Sequence, residues 1–255
     1  MRAIGIIAFN TFRENLRDRI LYNLLFFAFV LIGGSVVLGD LTIMEHHKIV
    51  TDMGLAAINV VGVTIGMFVG IGLVSKEIER RTVYTIMARP ITRTQFVLGK
   101  YAGLVITLMA NMLIMFGVFV VTLWVSDAPV PVALLQAVQL ILVEALLVTA
   151  IALFFSTFTS STLSAILTIG VFVIGHLTTD LKGIAEKSKS EMVKAIMNGL
   201  YYVCPNLEVL NVKGQAAMGQ VVSMSYQMLS SVYGLLYAGL LIAAACLVFE
   251  HREFR

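Results

Sequence analysis

Six long apolar segments constrain the fold of this chain more than any other feature. A helix that crosses a membrane needs about 20 mainly apolar residues. Hydrophobic residues make up 59% of the chain and charged residues only 13%, whereas soluble domains have about 45–50% and 25%. We therefore predict an all-α integral membrane protein, folded as a single domain over residues 1–255. The predicted transmembrane helices are residues 20–38, 53–74, 96–125, 132–155, 162–177 and 227–249.

The placement of positive charge orients these six spans. If both termini lie inside, the inner segments hold twelve Lys and Arg residues, and the outer segments hold six Lys and no Arg. Cytoplasmic loops of membrane proteins carry the excess of Lys and Arg. We therefore predict that both termini are cytoplasmic.

Two amphipathic segments lie outside the predicted spans. Residues 1–19 combine four arginines with an apolar stripe, which predicts an interfacial helix on the inner membrane surface. The outer loop, residues 178–226, is too long for a bare connector. Its apolar residues recur at helical spacing, which predicts one helix over about residues 184–203 on the outer rim. Cys204-Pro205 would end that helix.

The inner segment of residues 76–93 is the densest run of charge between two spans. Helical spacing predicts a short helix that Pro90 ends. Thr92 followed by Gln95 is a capping box that would begin the next helix. A membrane anchor explains the arginines of this segment, but it does not explain Glu77 and Glu79. The residues alone leave open whether the segment rests on lipid or contacts a soluble partner.

Polar residues inside the spans are the second set of candidates. Glu144 lies near the middle of the fourth span, and Gln136 and Gln139 lie toward its outer half. A carboxylate at this depth is expensive unless it faces a partner or water. It either lines a translocation path or ties helices together, with Asn111 of the third span as one conceivable partner.

The second span has glycines at every fourth position, which favours close packing against another helix. These packing candidates are Gly62, Gly66 and Gly70.

The chain lacks a nucleotide-binding motif. Gly99-Lys100 is like the end of a phosphate loop, but Thr94 and Tyr101 occupy positions that need Gly and Ser or Thr. We find no nucleophile–base pair and no metal motif, so we predict no catalytic residue, metal or cofactor in this chain. Any use of ATP requires a separate ATPase.

Residues 74–93, closed by Gly99-Lys100, resemble the acidic–basic–Thr, Pro-x-x-Arg and Gly-Lys pattern of ABC type-2 transporter permeases. The segment Thr11-Phe12-Arg13-Glu14, with Arg17-Asp18-Arg19, is similar to the group that includes the nitrous-oxide-reductase maturation permease. The resemblance covers the whole chain in topology and about the first hundred residues in detail.

The resemblance implies the membrane subunit of an ATP-driven exporter in a bacterial inner membrane. It implies a dimer, formed with a second copy or a close paralogue, that carries two ATP-binding subunits with ATP and Mg; no nucleic acid is involved. Residues 76–93 would then be the coupling helix, with the N-terminal helix beside it. The implied ATPase-coupling residues are Glu77, Glu79, Arg80, Arg81, Thr82, Arg89 and Arg93.

Two other function classes remain open at this point. One is a non-transporting membrane scaffold or assembly factor, which needs no ATPase. The other is an ion-coupled secondary transporter with Glu144 as proton carrier. Such carriers often contain internal repeats, and none is visible in this sequence.

Overall fold

A computed structural model describes residues 2–40, 46–79, 92–188 and 190–251, with side chains for all of these except residues 2, 40, 73–79 and 251. Helices dominate the described residues, and no strand occurs among them, as predicted. A 3₁₀ turn at Glu208–Leu210 interrupts the outer loop. The helices are α1 (Arg2–Asn15), α2 (Arg19–Asp40), α3 (His46–Glu79), α4 (Arg93–Val125), α5 (Val132–Ser156), α6 (Ser161–His176), α7 (Thr178–Lys187), α8 (Glu191–Val203), α9 (Lys213–Ala217) and α10 (Met224–His251).

Five of these helices are long and apolar enough to cross a membrane, namely α2, α3, α4, α5 and α10. The predicted fifth span corresponds to α6, which has 16 residues. At 1.5 Å per residue it is about 24 Å long, shorter than a hydrocarbon core of about 30 Å. The chain bends by 68° between α6 and α7. The described part of the chain therefore holds five candidate spans, or six if this bent pair counts as one.

Helix α5 lies at the centre of the bundle. It packs most extensively against α3 and α10, and it also contacts α4, α6 and α9. Its buried residues occur on every face, as expected for a helix enclosed by others.

The glycines predicted to pack helices face α4 and α5. A Cβ atom at Gly62 would clash with Met112 of α4, and one at Gly66 would clash with Thr149 of α5. At Gly70 it would lie 3.1 Å from the Cβ of Ala152. These positions thus contact other helices of the same subunit.

The N-terminal helix is shorter than the predicted 1–19 and is packed against protein. It ends at Asn15, and a turn separates it from α2. Helix α1 lies against the first turns of α4, where Gly99 and Gly103 leave room for its backbone. The buried Asn15 donates its Nδ2 hydrogen to Thr107 Oγ1 at 3.1 Å. A helix lying only on lipid would not bury this face, and the residue pattern of 1–19 does not distinguish lipid from α4 as its partner.

Two predicted boundaries are wrong. The single outer helix over about residues 184–203 is two helices, because Ser188 and Ser190 adopt extended backbone conformations between α7 and α8. Helix α3 continues to Glu79, so residues 76–79 continue the helix of the second span and the predicted short helix does not begin at Lys76; its remaining part, residues 80–91, lies outside the described residues. The predicted stop at Cys204-Pro205 is confirmed, since α8 ends at Val203.

The bundle has two ends that differ in their contents. We name the α1 end for the place where α1, the start of α4 and the end of α10 meet. We call the other end of the bundle the α9 end; there the starts of α3 and α5 lie near α9. Helix α4 has 33 residues and is about 50 Å long, so it projects beyond a hydrocarbon core of about 30 Å.

Substituting Gly103→Ala tests the packing of α1 on α4. The new Cβ would lie 2.6 Å from both Ala8 O and Thr11 Cβ, so α1 must move, and we expect the free energy of unfolding to fall by about 1–3 kcal/mol. Gly117→Ala in the same helix is the control, because nothing lies within 4 Å of its new methyl group. Denaturant titration of the purified protein measures both. Equal stabilities of the two variants would contradict this packing.

Candidate functional site

Glu144 is fully enclosed in the middle of α5, with 0% of its side chain exposed. The amide of Asn59 on α3 donates a hydrogen bond from Nδ2 to Glu144 Oε2 at 2.7 Å. The oxygen of the same amide, Asn59 Oδ1, accepts a hydrogen bond from Lys213 Nζ at 3.0 Å. Asn59 therefore bridges a buried carboxylate and the ammonium group at the start of α9.

His176 completes this group from the end of α6. Its Nε2 lies 3.3 Å from Glu144 Oε1, and its Nδ1 lies 3.1 Å from the carbonyl oxygen of Phe172. The Nε2–Oε1 contact has an ion-pair distance but not the alignment of a hydrogen bond. Because a carbonyl only accepts, Nδ1 carries a proton. Nε2 and Oε1 then attract each other only if one of them also carries a proton.

We call Asn59, Glu144, His176 and Lys213 the charge cluster. Its four members come from α3, α5, α6 and α9, so it joins the central helices to the α9 end of the bundle. An ionisable group at membrane depth is tolerated when it has partners, and the Glu144 carboxyl has two, the Asn59 amide and the His176 imidazole, while Lys213 is held by Asn59. Glu144 and Asn59 are the buried members of the cluster, whereas His176 and Lys213 are only partly buried.

The two glutamines of α5 face a different helix. Gln136 donates to Gln227 Oε1 of α10 at 2.9 Å and accepts from the backbone N–H of Val222 at 3.0 Å. Gln139 donates to Ser231 Oγ at 2.9 Å and accepts from Gln227. We call Gln136, Gln139, Gln227 and Ser231 the glutamine cluster. It ties α5 to α10, while the charge cluster ties α5 to α3.

Asn111 lies apart from both clusters. Its Nδ2 donates to the carbonyl oxygen of Thr107 in its own helix at 2.7 Å. The amide that contacts Glu144 is thus Asn59 and not Asn111. The four predicted translocation-path candidates therefore separate into three environments.

Sequence reasoning missed three members of the charge cluster. Asn59 carried a signal, because it is an amide near the middle of a predicted span. His176 carried a weaker one at the end of the short fifth span. Lys213 carried none, since a single lysine in a polar loop is ordinary, and only the tertiary structure brings it to Asn59.

The predicted coupling residues fall mostly outside the described side chains. Glu77 and Glu79 belong to α3, but the description of that part covers the backbone only. Four others lie outside the described residues: Arg80, Arg81, Thr82 and Arg89. Arg93 is described, and its Nη1 donates to the carbonyl oxygens of Phe249 and Glu250 at 3.1 and 2.9 Å. The predicted capping box of Thr92 and Gln95 is confirmed.

The contact of Arg93 belongs to a larger joint at the α1 end. Arg93 donates to backbone carbonyls in the last turn of α10, which have no partner within the helix, and its positive charge suits the negative end of the helix dipole. Phe96 stacks on Phe249 with ring centroids 6.0 Å apart. Lys100 Nζ, on a buried side chain, lies 3.5 Å from Glu14 Oε2 of α1. We call Arg93, Phe96 and Lys100 the α4 anchor, because they fix the start of α4 to α1 and α10.

Comparison with known proteins agrees with this architecture. Residues 6–254 match the family model described as ABC-2 family transporter protein. The chain belongs to this family. It is a multi-pass membrane protein and a permease subunit of an ABC transporter, and the family implies a partner ATP-binding subunit. None of the curated proteins compared with it matches.

Substitutions of Glu144 test the charge cluster of the permease. Glu144→Leu leaves the buried Asn59 amide without its acceptor and removes the carboxyl beside the partly buried His176, so we expect the free energy of unfolding to fall by about 2–3 kcal/mol. Glu144→Gln keeps an acceptor for Asn59, and we expect a loss of about 1 kcal/mol.

The control for this pair is Glu191→Gln on α8. Glu191 lies 3.1 Å from Lys194, but its side chain is 89% exposed, and exposed ion pairs contribute little to stability. Denaturant titration in one detergent measures all three variants. A Leu variant as stable as the Gln variant would show that the carboxylate is not held as described.

Proposed function

We propose that the permease is the membrane subunit of an ATP-driven exporter that works as a dimer. In this proposal two separate ATP-binding subunits, which carry ATP and Mg, dock on residues 76–93. The protein lies in a bacterial inner membrane with both termini in the cytoplasm. The family match over residues 6–254 is the observation that carries the proposal, and the excess of Lys and Arg at the α1 end supports the orientation.

The helices on either side of residues 80–91 support a coupling role for this segment. Helix α3 leads into it and ends at Glu79, and α4 leads out of it from Arg93. The α4 anchor fixes that start to α1 and α10. A force applied to residues 80–91 would therefore act on α3 and α4 directly, and on α1 and α10 through the α4 anchor.

Helix α3 provides a continuous route to the other end of the bundle. It runs from Glu79 to His46 without interruption in the described chain, and Asn59 lies along it. Through Asn59, motion of α3 reaches Glu144 of α5 and Lys213 of α9. In our proposal ATP binding on the partner moves α3 and α4 at the α1 end, and the charge cluster passes this motion to the α9 end.

The polar residues of α5 contribute to transport by holding helices together or by lining the path. The described hydrogen bonds of Gln136, Gln139 and Glu144 join α5 to neighbouring helices, and that of Asn111 stays within α4. A path-lining role for these residues requires the clusters to open during the cycle. Under the first role Glu144→Gln is tolerated, and under the second it lowers substrate-stimulated ATP hydrolysis while folding and dimer assembly persist.

The family match favours this proposal over the two other classes. A scaffold without an ATPase, or an ion-coupled carrier using Glu144, has no need of a family architecture that works with an ATP-binding partner. Membership of the nitrous-oxide-reductase maturation group depends on the motif in residues 11–19 alone and stays a prediction.

Reversing the charge of Glu77 and Glu79 tests the docking segment. The double variant Glu77→Lys, Glu79→Lys replaces two acidic contacts, so we expect less co-purified ATPase and at least about tenfold lower stimulated hydrolysis, equivalent to about 1.4 kcal/mol. The matched control is Glu186→Lys, Glu191→Lys, which makes the same change on exposed residues of the outer segment. Normal ATPase yield and hydrolysis in the first variant would argue against docking at residues 76–93.

Cysteine labelling tests the orientation. In a background with Cys204→Ser and Cys246→Ser, single cysteines are placed at the exposed positions Arg13 and Glu191. An impermeant maleimide should label Glu191→Cys in intact cells and should label Arg13→Cys only after permeabilisation, because the α1 end is cytoplasmic in the proposal. The reverse pattern would overturn the orientation.

A further inference from the structure

A tyrosine-rich cleft lies between the end of α8 and the first half of α10. Its volume is about 680 Å³, within the range of about 300–1,000 Å³ that holds small molecules. Five of the chain's eight tyrosines line it. The full lining is Tyr201, Tyr202, Cys204, Asn206, Val209, Tyr226, Leu229, Ser230, Tyr233 and Tyr237.

The hydroxyl groups of three of these tyrosines are already engaged. Tyr226 donates to the carbonyl oxygen of Val209 at 2.9 Å, and Tyr237 donates to that of Val203 at 2.8 Å. Tyr233 accepts from the backbone N–H of Asn206 at 2.8 Å. These bonds fix the rings to the chain that follows α8. Two of the phenols have used their only hydrogen, so they offer a ligand ring faces and oxygen lone pairs.

The rings point in different directions around the cleft. Tyr201 and Tyr202 meet edge to face at 85°, with centroids 5.3 Å apart. Tyr233 and Tyr237 are inclined at 56°, with centroids 6.1 Å apart. Walls built in this way present several electron-rich ring surfaces to one open cleft.

The lining of the cleft bears no formal charge among the described residues. Burial raises the pKa of the Cys204 thiol, so this group stays neutral at pH 7. One of these rings already contacts a cation within the protein, since Lys182 Nζ lies 5.8 Å from the centroid of the Tyr201 ring. This is within the distance of about 6 Å at which a ring attracts a cation. The cleft is thus electron-rich without containing a carboxylate.

We propose that this cleft binds an organic cation, namely a quaternary ammonium group carried on an apolar body. The ring faces of Tyr202 and Tyr233 attract its diffuse positive charge, and Leu229 contacts its apolar part. A compact ammonium ion or metal ion keeps its hydration and is not favoured by such a lining, whereas a quaternary ammonium group has no N–H bonds to satisfy. The site does not depend on the proposed transport function, because binding here requires neither an ATPase nor transport.

The first test compares choline with 3,3-dimethylbutan-1-ol, which has the same shape without the charge. Both are titrated by saturation-transfer NMR against the full chain in a neutral maltoside detergent. We expect choline to bind at least about fivefold more tightly, equivalent to about 1 kcal/mol of cation–ring attraction. Equal affinities, or no binding of choline at millimolar concentration, would overturn the proposal.

The second test uses Tyr202, whose side chain does not support the fold. The residue is 82% exposed, so Tyr202→Leu should fold normally while removing one ring face. We expect Tyr202→Leu to weaken choline binding about threefold or more, and Tyr202→Phe, which keeps the ring, to stay within about twofold. Tyr22→Leu, which is an exposed tyrosine on α2, is the control and should have no effect. Identical binding in the Leu and Phe variants of Tyr202 would exclude a role for the ring.

The source of the cation is identified by repeating the titration in lipid nanodiscs. If phosphatidylcholine lowers the apparent affinity for free choline relative to phosphatidylglycerol, the cleft binds the lipid headgroup, which supports the proposal. Equal choline affinity in both lipids also supports it and identifies a free organic cation as the ligand. Loss of choline binding in both lipids would contradict the site.

Discussion

The pairing of Glu144 is the interaction on which the arrangement of the bundle depends. An ionisable group with no exposed surface at the middle of a span must have partners. Asn59 of α3 and His176 of α6 provide them, and Asn59 in turn binds Lys213 of α9. Since each partner would leave an unmatched polar group if it withdrew, the relative positions of α3, α5, α6 and α9 are fixed together. Apolar packing alone would tolerate small slips between these helices, because dispersion is not directional.

The remaining contacts are organised around this fixed centre. The glutamine cluster ties α10 to α5, and small residues let α3 approach α4 and α5 closely. At the α1 end, Arg93 caps the C-terminus of α10 and joins it to α4. The permease therefore has a rigid connection from the α1 end, where its ATP-binding partner is proposed to dock, to the α9 end.

Local sequence patterns predicted the spans and some helix ends but not the contacts between them. Apolar length identified α2, α3, α4, α5 and α10, and Thr92 with Gln95 identified the start of α4. The depth of Glu144 marked it as a candidate, but its partner Asn59 lies 85 positions earlier in the chain, and Lys213, which binds Asn59, lies 69 positions after Glu144. The packing of α1 against Gly99 and Gly103 is also a contact between distant parts of the chain, and the sequence does not reveal it. A basic amphipathic helix near a terminus is equally suited to a membrane surface. The family predicted from the resemblance is confirmed by the match over residues 6–254. The predicted coupling helix stays a prediction, because residues 80–91 lie outside the described residues.

The most direct test measures whether ATP on the partner changes the α9 end of the permease. A single cysteine replaces Met218, which is 60% exposed beside α9, in a background with Cys204→Ser and Cys246→Ser. Its maleimide reaction rate is measured in the reconstituted complex without nucleotide and with ATP and vanadate. If motion passes through α3 and the charge cluster, the rate should change by at least about threefold, and Asn59→Leu should abolish the change while ATP binding persists. If the complex that keeps Asn59 has an active ATPase and the cysteine reacts at the same rate without nucleotide and with ATP and vanadate, coupling across the membrane is contradicted.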